Sequence, residues 1–264
     1  MSVFRSQSGD HTHSDGPMTG SRADNLTPGE IRFARRAAVA ALALVACAVP
    51  FGTLLVLVRN HWGPLLDLDQ DAADALHELA LRHHAFVVAL KAISRLGSAV
   101  VYVPLFVALT VWLYARGLRR LAVFVAVTEA LSPGINALAK HSIVRTRPVL
   151  PDPVAHAPGY SFPSGHAQSA TVAACVLLLV FHAALHGRRR VTAFAAAGIW
   201  VVSVCFSRVG LGVHFVSDVL AGVVLGVAWV ATTAALFNAW RRDRGRPALH
   251  PEHGLEPEAA SRLS

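Results

Sequence analysis

Apolar residues gather into six long runs, at roughly 37–58, 99–115, 121–139, 164–186, 191–207 and 215–240. Each reaches or approaches the ~20 helical residues needed to cross a bilayer core. Apolar runs of this length with at most one charged residue predict membrane-spanning helices, so the chain is expected to be all-α, a six-transmembrane-helix bundle. Residues 1–30 are rich in Ser, Gly, Asp and His without an apolar period, which predicts a disordered tail, and the sequence over 241–264 reads the same way. The pattern therefore divides the chain into a membrane domain at 31–240 between two tails.

The longest polar interruption, 59–98, carries Asp67, Asp69, Asp71 and Asp74 ahead of a helical pattern through Leu76, Leu79 and Ala80. Acids in and before a first helical turn are stabilised by the helix dipole, and that is the reading taken here over a metal site. His77-Glu78 begins like a zinc-protease motif, but position 81 is Leu where the second His is required.

Composition narrows the class. With 54% hydrophobic and 15% charged residues the chain is not an ordinary soluble domain. Its net charge of +8 is held in short clusters between apolar runs, not in a stripe interleaved with aromatics, so no nucleic-acid partner is expected. Arg32, Arg35 and Arg36 precede the first run, Arg116, Arg119 and Arg120 follow the second, Arg188 to Arg190 follow the fourth, and Arg241 and Arg242 follow the sixth. All four clusters fall on one side of alternating spans, which by the positive-inside rule places both termini in the cytoplasm of a plasma-membrane protein. Ala46-Cys47-Ala48 resembles a signal-peptidase site, but the apolar run continues to Val58, which favours an uncleaved anchor. Cys47, Cys175 and Cys205 lie within apolar stretches and read as small buried hydrophobes.

Three strings at span ends carry the chemistry: Lys140 with Arg147-Pro148, Pro163-Ser164-Gly165-His166, and Ser207-Arg208 followed by His214 and Asp218. All emerge opposite the Arg clusters, so the candidate site faces outward. Lys140 and Arg147 are two helical turns apart and share a side if the third span continues outward, with Pro148 ending that helix. The second string marks a loop-to-helix junction, where unpaired N–H groups can cradle phosphate oxygens; standing alone it reads as a plain cap and turn. His214 and Asp218, four residues apart, are expected on one face of the sixth helix, where a carboxylate fixes the imidazole tautomer and frees the other nitrogen to attack phosphorus. Gly159-x-Ser161 hints at a hydrolase elbow, but Pro163 replaces the second Gly, so Ser161 is a poor nucleophile. Glu129, ~16 Å from Lys140 along a helix, is out of reach of the site and is read, with Pro133, Gly134 and Asn136, as part of a polar helix contact.

Together the three strings resemble the motif set of the type 2 phosphatidic acid phosphatase superfamily. That resemblance implies the six-helix fold of the family and a metal-independent membrane lipid phosphatase with no cofactor. Lys140, Arg147 and Arg208, helped by Ser164 and Gly165, would bind phosphate; His214 would form a phosphohistidine; Asp218 would orient it; and His166 would protonate the leaving oxygen and later activate water. Undecaprenyl diphosphate, phosphatidic acid and phosphatidylglycerol phosphate are the implied lipid substrates. The alternatives are a phosphotransferase with the same intermediate and a non-catalytic lipid-binding or transport protein. Arg145, between the phosphate-binding pair, is read as holding a second phosphate or headgroup, or as solvated.

Overall fold

The computed structural model describes residues 45–243 and residue 255. The expected tail over 1–30, the first Arg cluster, the start of the first span and the expected tail beyond Asp243 lie outside the described residues. Among those described there is no strand. Eight helices run in order: α1 (Val45–Arg59), α2 (Gly63–Arg82), α3 (His84–Leu96), α4 (Ala99–Ala115), α5 (Arg119–Ser142), α6 (Gly165–Phe181), α7 (Gly187–Gly210) and α8 (Val216–Asp243). Five stretches are long and apolar enough to cross a membrane, and α1 and α2, bent by 88° at the break between them, meet the same test only when taken together.

Two boundaries differ from the expectation. The polar interruption at 59–98 is not one outer segment: α3 runs into α4 as a 32-residue span, His84–Ala115. Val87 and Leu90 bury one face of α3, which gives it an amphipathic pattern that the search for continuous apolar runs passes over. At 1.5 Å per residue this span is ~48 Å long, beyond the ~30 Å hydrocarbon thickness, so α3 extends past the core. The second departure is in α2, which begins at Gly63 with Pro64 in its first turn, so the four acids fall deeper in the helix and none lies in the first turn. Asp69, Ala73, His77 and Ala80 instead form its buried face.

The main core joins α4 to α8 through Phe106, Leu113, Val125, Val172, Val176, Val204 and Val230. α4 exposes Val100, Val103, Val107 and Val111, the surface expected of a helix facing lipid. α6 and α8 approach closely along Gly222 and Gly226. A methyl group on Gly222 would lie 2.5 Å from the Ser164 carbonyl oxygen, and one on Gly226 would lie 3.0 Å from that of Gln168. Small residues let backbones meet in this way where apolar burial gives no drive to association.

Beneath the α5–α6 junction lies a buried polar link. Asn136 Nδ2 donates to Gln168 Oε1 at 2.7 Å, and Gln168 Nε2 donates to the Ser132 carbonyl and hydroxyl at 2.9 and 3.0 Å. Such interhelical bonds contribute about 0.6 kcal/mol each within a membrane. Glu129, one turn away, lines a cavity of about 330 Å³ with Tyr102, Phe106, Ser132, Pro133 and Ser169, and its Oε1 has no hydrogen-bond partner.

Candidate active site

Lys140 and Arg147 meet, but not as two turns of one helix. α5 stops at Ser142, and Arg147 lies in the extended segment beyond it. The segment doubles back so that Lys140 Nζ and Arg147 Nη2 both donate to the Tyr160 carbonyl, at 2.6 and 3.2 Å. Arg147 also donates to the carbonyls of Gly159, Pro158 and Val213 at 3.0, 2.9 and 2.6 Å, tying the 158–160 stretch to the α7–α8 turn. Burial holds its guanidinium below the usual arginine range, opposed by the charge of Asp218.

Ser164 is the N-cap of α6, its hydroxyl accepting from the Ala167 N–H. The Ser164 N–H donates to the Asp218 carbonyl at 2.9 Å, which fixes the start of α6 against α8. Gly165 opens the helix and a half-buried His166 follows, within electrostatic reach of Arg208, His214 and Arg147. Ser161 is buried and donates to the Thr146 carbonyl at 3.0 Å. Arg208, near the end of α7, is buried and donates through Nη1 to Ser94 of α3.

His214 is not on the sixth span's helix but in the turn before it, since α8 begins at Val216. It still faces Asp218, because the Asp218 carboxylate turns back over the helix start and Oδ2 accepts from the Phe215 N–H at 2.9 Å. Nδ1 of His214 is 3.5 Å from the same oxygen, long for a hydrogen bond, and has no other partner. Nε2 lies 3.2 Å from Arg147 Nη1. A guanidinium can only donate, so Nε2 is the acceptor and the neutral ring carries its proton on Nδ1, toward the carboxylate. Burial pushes the His214 imidazole down to about 4, with Asp218 opposing and the charges of Arg147 and Arg208 adding to the depression. At neutral pH its Nε2 lone pair is therefore free of a proton.

Arg145 departs from both of its expected roles. It is buried, donating through Nη1 to Asp218 Oδ1 at 2.6 Å and through Nη2 to Asp69 Oδ2 at 2.8 Å, with its guanidinium 4.2 Å from the Phe215 ring centre. It is not exposed to hold a headgroup. In the sequence Asp69 groups with three other acids of an expected first turn. The signal was its place in the buried period that continues through Ala73, His77 and Ala80. Ser94 and Ser217 carry no motif-level signal, whereas Asn136, read as part of a polar helix contact, makes one with Gln168. No group of three or more His, Cys, Asp or Glu side chains is arranged to hold a metal ion among the described residues.

The fold and this cluster define a multi-pass helical membrane protein in which cations, two imidazoles and a carboxylate draw together where α5, α6, α7 and α8 end or begin. Residues 121–242 match the family model described as the PAP2 superfamily. Phosphatidylglycerophosphatase B of Bacillus subtilis (strain 168) is 40% identical over 95 residues, 35% of this chain and 46% of that protein. The chain thus spans about half the length of the curated relative it matches. The crystal structure of a transmembrane PAP2-type phosphatidylglycerolphosphate phosphatase from Bacillus subtilis superposes with a TM-score of 0.63 at 26% identity, covering 73% of this chain and 94% of that one. Aquifex aeolicus LpxE shares the fold at a TM-score of 0.51 and 22% identity, over 66% of this chain and 96% of its own.

Proposed function

We propose that the protein is a metal-independent membrane phosphatase that removes the terminal phosphate of a lipid phosphate through a phosphohistidine at His214. The observation that carries this reading is the buried His214 ring, with Nε2 turned to Arg147 and Nδ1 to Asp218. In the first step Nε2 forms a bond to phosphorus and the bond to the lipid oxygen breaks, with His166, held as imidazolium by the negative phosphate once substrate is bound, giving its proton to that oxygen. Asp218 stabilises the imidazolium that results. His166 then takes a proton from water as its oxygen attacks the phosphohistidine, releasing phosphate. Lys140, Arg147 and Arg208 hold the phosphoryl oxygens with Ser164 and the backbone of Gly165, where the first N–H groups of α6 have no intrahelical acceptor. Fixed cations in a low-dielectric site supply the charge stabilisation that a divalent metal supplies elsewhere.

A lipid brings its phosphate to the ends of membrane helices while its chains stay in the bilayer, whereas a soluble ester gains nothing from that placement. Phosphatidylglycerol phosphate is the candidate favoured by the Bacillus subtilis relatives, with phosphatidic acid and undecaprenyl diphosphate beside it. Phosphate release by the purified protein in EDTA is the test. Long-chain lipid phosphates are expected to react with kcat/KM at least ~100-fold above short-chain analogues of the same headgroup, and orthovanadate is expected to inhibit. Each CH₂ kept in an apolar phase contributes roughly 0.8 kcal/mol, so the effect grows with chain length. Equal turnover of glucose 6-phosphate would remove the lipid assignment, and activity lost to chelation and restored by Mg²⁺ would remove the metal-free mechanism.

The proposed site faces the outer side of the plasma membrane, with both termini cytoplasmic. In a variant lacking Cys47, Cys175 and Cys205, Val149→Cys is expected to react with an impermeant thiol reagent in intact cells. His186→Cys, at the opposite ends of the spans, is expected to react only after lysis. The reverse pattern would place the site in the cytoplasm.

A further inference from the structure

On the Asp218 side of His214, away from Arg147, three charges are packed in the interior: Asp69 from α2, Arg145 from the segment after α5, and Asp218 from α8. Asp69 and Asp218 are 0% exposed and Arg145 9%. Arg145 forks between the two carboxylates at 2.8 and 2.6 Å. The remaining acceptor sites are also used: Asp69 Oδ1 takes the Ser217 N–H at 2.9 Å, its Oδ2 takes the Ser217 hydroxyl, and Asp218 Oδ2 takes the Phe215 N–H at 2.9 Å. Burying three ions is unfavourable unless each is paired and hydrogen-bonded; here the arginine bridges both acids and every carboxylate oxygen accepts at least one bond.

The charges sum to net −1. Paired with Arg145 alone, Asp218 would present His214 with a neutral pair, and attack by Nε2 turns a neutral ring into a cation that needs a negative field at Nδ1. Asp69 restores that field. The same fork fixes the direction of the carboxylate, since Arg145 holds Oδ1 and leaves Oδ2 on the side of His214 Nδ1.

We propose that Asp69 and Arg145 are positioning residues that turn Asp218 Oδ2 toward His214 and keep the charge behind its ring at net −1. The inference rests on His214 being the nucleophile. The charged and titratable groups facing that ring are Asp218 from α8, Arg208 from α7, His166 from α6, and Arg147 from the segment after α5. Lys140 of α5 bears on the same site through Arg147 and Asp218.

The test is the pH dependence of single-turnover phosphoenzyme formation in detergent-solubilised full-length protein with a long-chain lipid phosphate. The wild-type acid limb, set by protonation of His214, is expected near pH 4. Asp69→Asn removes a negative charge, makes the imidazolium harder to form, and is expected to move the limb down by about half a unit or more. Arg145→Gln removes a positive charge and is expected to move it up. Both should lower kcat by roughly 10- to 100-fold, as loss of a group that orients a reacting side chain does, with KM within about threefold of wild type. Shifts in the same direction, or none, would overturn the proposal. If either neutral variant does not fold, Asp69→Glu and Arg145→Lys decide instead. These keep the charge but break the fork, so the limb should stay in place while kcat falls, and a moved limb would overturn the charge argument. A wild-type chain that forms no phosphohistidine would sink the functional reading itself; a labelled wild type with undivided limbs would sink only this inference.

Discussion

His214→Ala is expected to abolish the phosphoenzyme and to reduce turnover by roughly 10⁴-fold or more, the scale seen when a nucleophile is removed. His214 is 2% exposed, and its ring stands between Arg147 and Asp218. Radiolabel from a head-labelled lipid phosphate, trapped under alkaline denaturing conditions that preserve phosphohistidine, should be absent from the variant. Its thermal transition should remain cooperative. Label retained on His214→Ala would move the nucleophile elsewhere, with His166 the next residue to change. In the wild type the labelling rate should fall as the pH drops through about 4, because the lone pair that attacks phosphorus is then protonated.

Gly222→Ala is expected to damage both stability and activity although it adds one methyl group far in sequence from two of the three motif strings. That methyl would sit 2.5 Å from the Ser164 carbonyl oxygen, 3.0 Å from Ala167 Cβ and 3.2 Å from the Gln168 nitrogen, so backbone must move, not a flexible side-chain tip. Overpacking of this kind costs about 1–3 kcal/mol. The element displaced is the start of α6, which carries Ser164, Gly165 and His166 and is bonded to the Asp218 carbonyl. A shift of ~1 Å there, relative to His214, is expected to lower kcat/KM by roughly 100-fold. Gly198→Ala in α7 is the matched control, with nothing within 4 Å of the added atom, and should be neutral or slightly stabilising. Melting in detergent and the lipid phosphate assay read the two effects separately. An unperturbed Gly222→Ala would mean that α6 and α8 can part without consequence for the site.

The features legible in the sequence were those with a strong period or a short local rule. Long apolar runs gave five of the spans, and the Ser164-Gly165 junction gave the cap of α6. The eight motif residues could be placed at span ends, but how they meet could not be read from spacing. Lys140 and Arg147 suggested one helix face, yet α5 ends at Ser142 and the two side chains meet on the carbonyl of Tyr160. His214 suggested a helical i,i+4 pair, yet it precedes α8 and faces Asp218 only because that carboxylate folds over the helix start. In both cases a loop folding back produces the proximity that helical periodicity was asked to explain. Arg145 and Asp69 were harder still, because a pair separated by 76 positions leaves no local trace. A lone acid in an amphipathic helix reads as solvated until its place on the buried face is noticed.

Asp69 lies outside residues 121–242, the stretch that matches the superfamily model, while all eight motif residues lie within it. A segment cut to those boundaries would retain every hallmark of the family and leave the Arg145 guanidinium short of one of its two counter-charges, a loss on the order of 3–5 kcal/mol when one partner of a buried pair is removed. Chimeras joining the trailing helices of this protein to the leading helices of a relative are therefore constrained at a position that the shared signature does not include. The donor must bring an acid to where Asp69 meets Arg145 and Ser217, or exchange the arginine along with it.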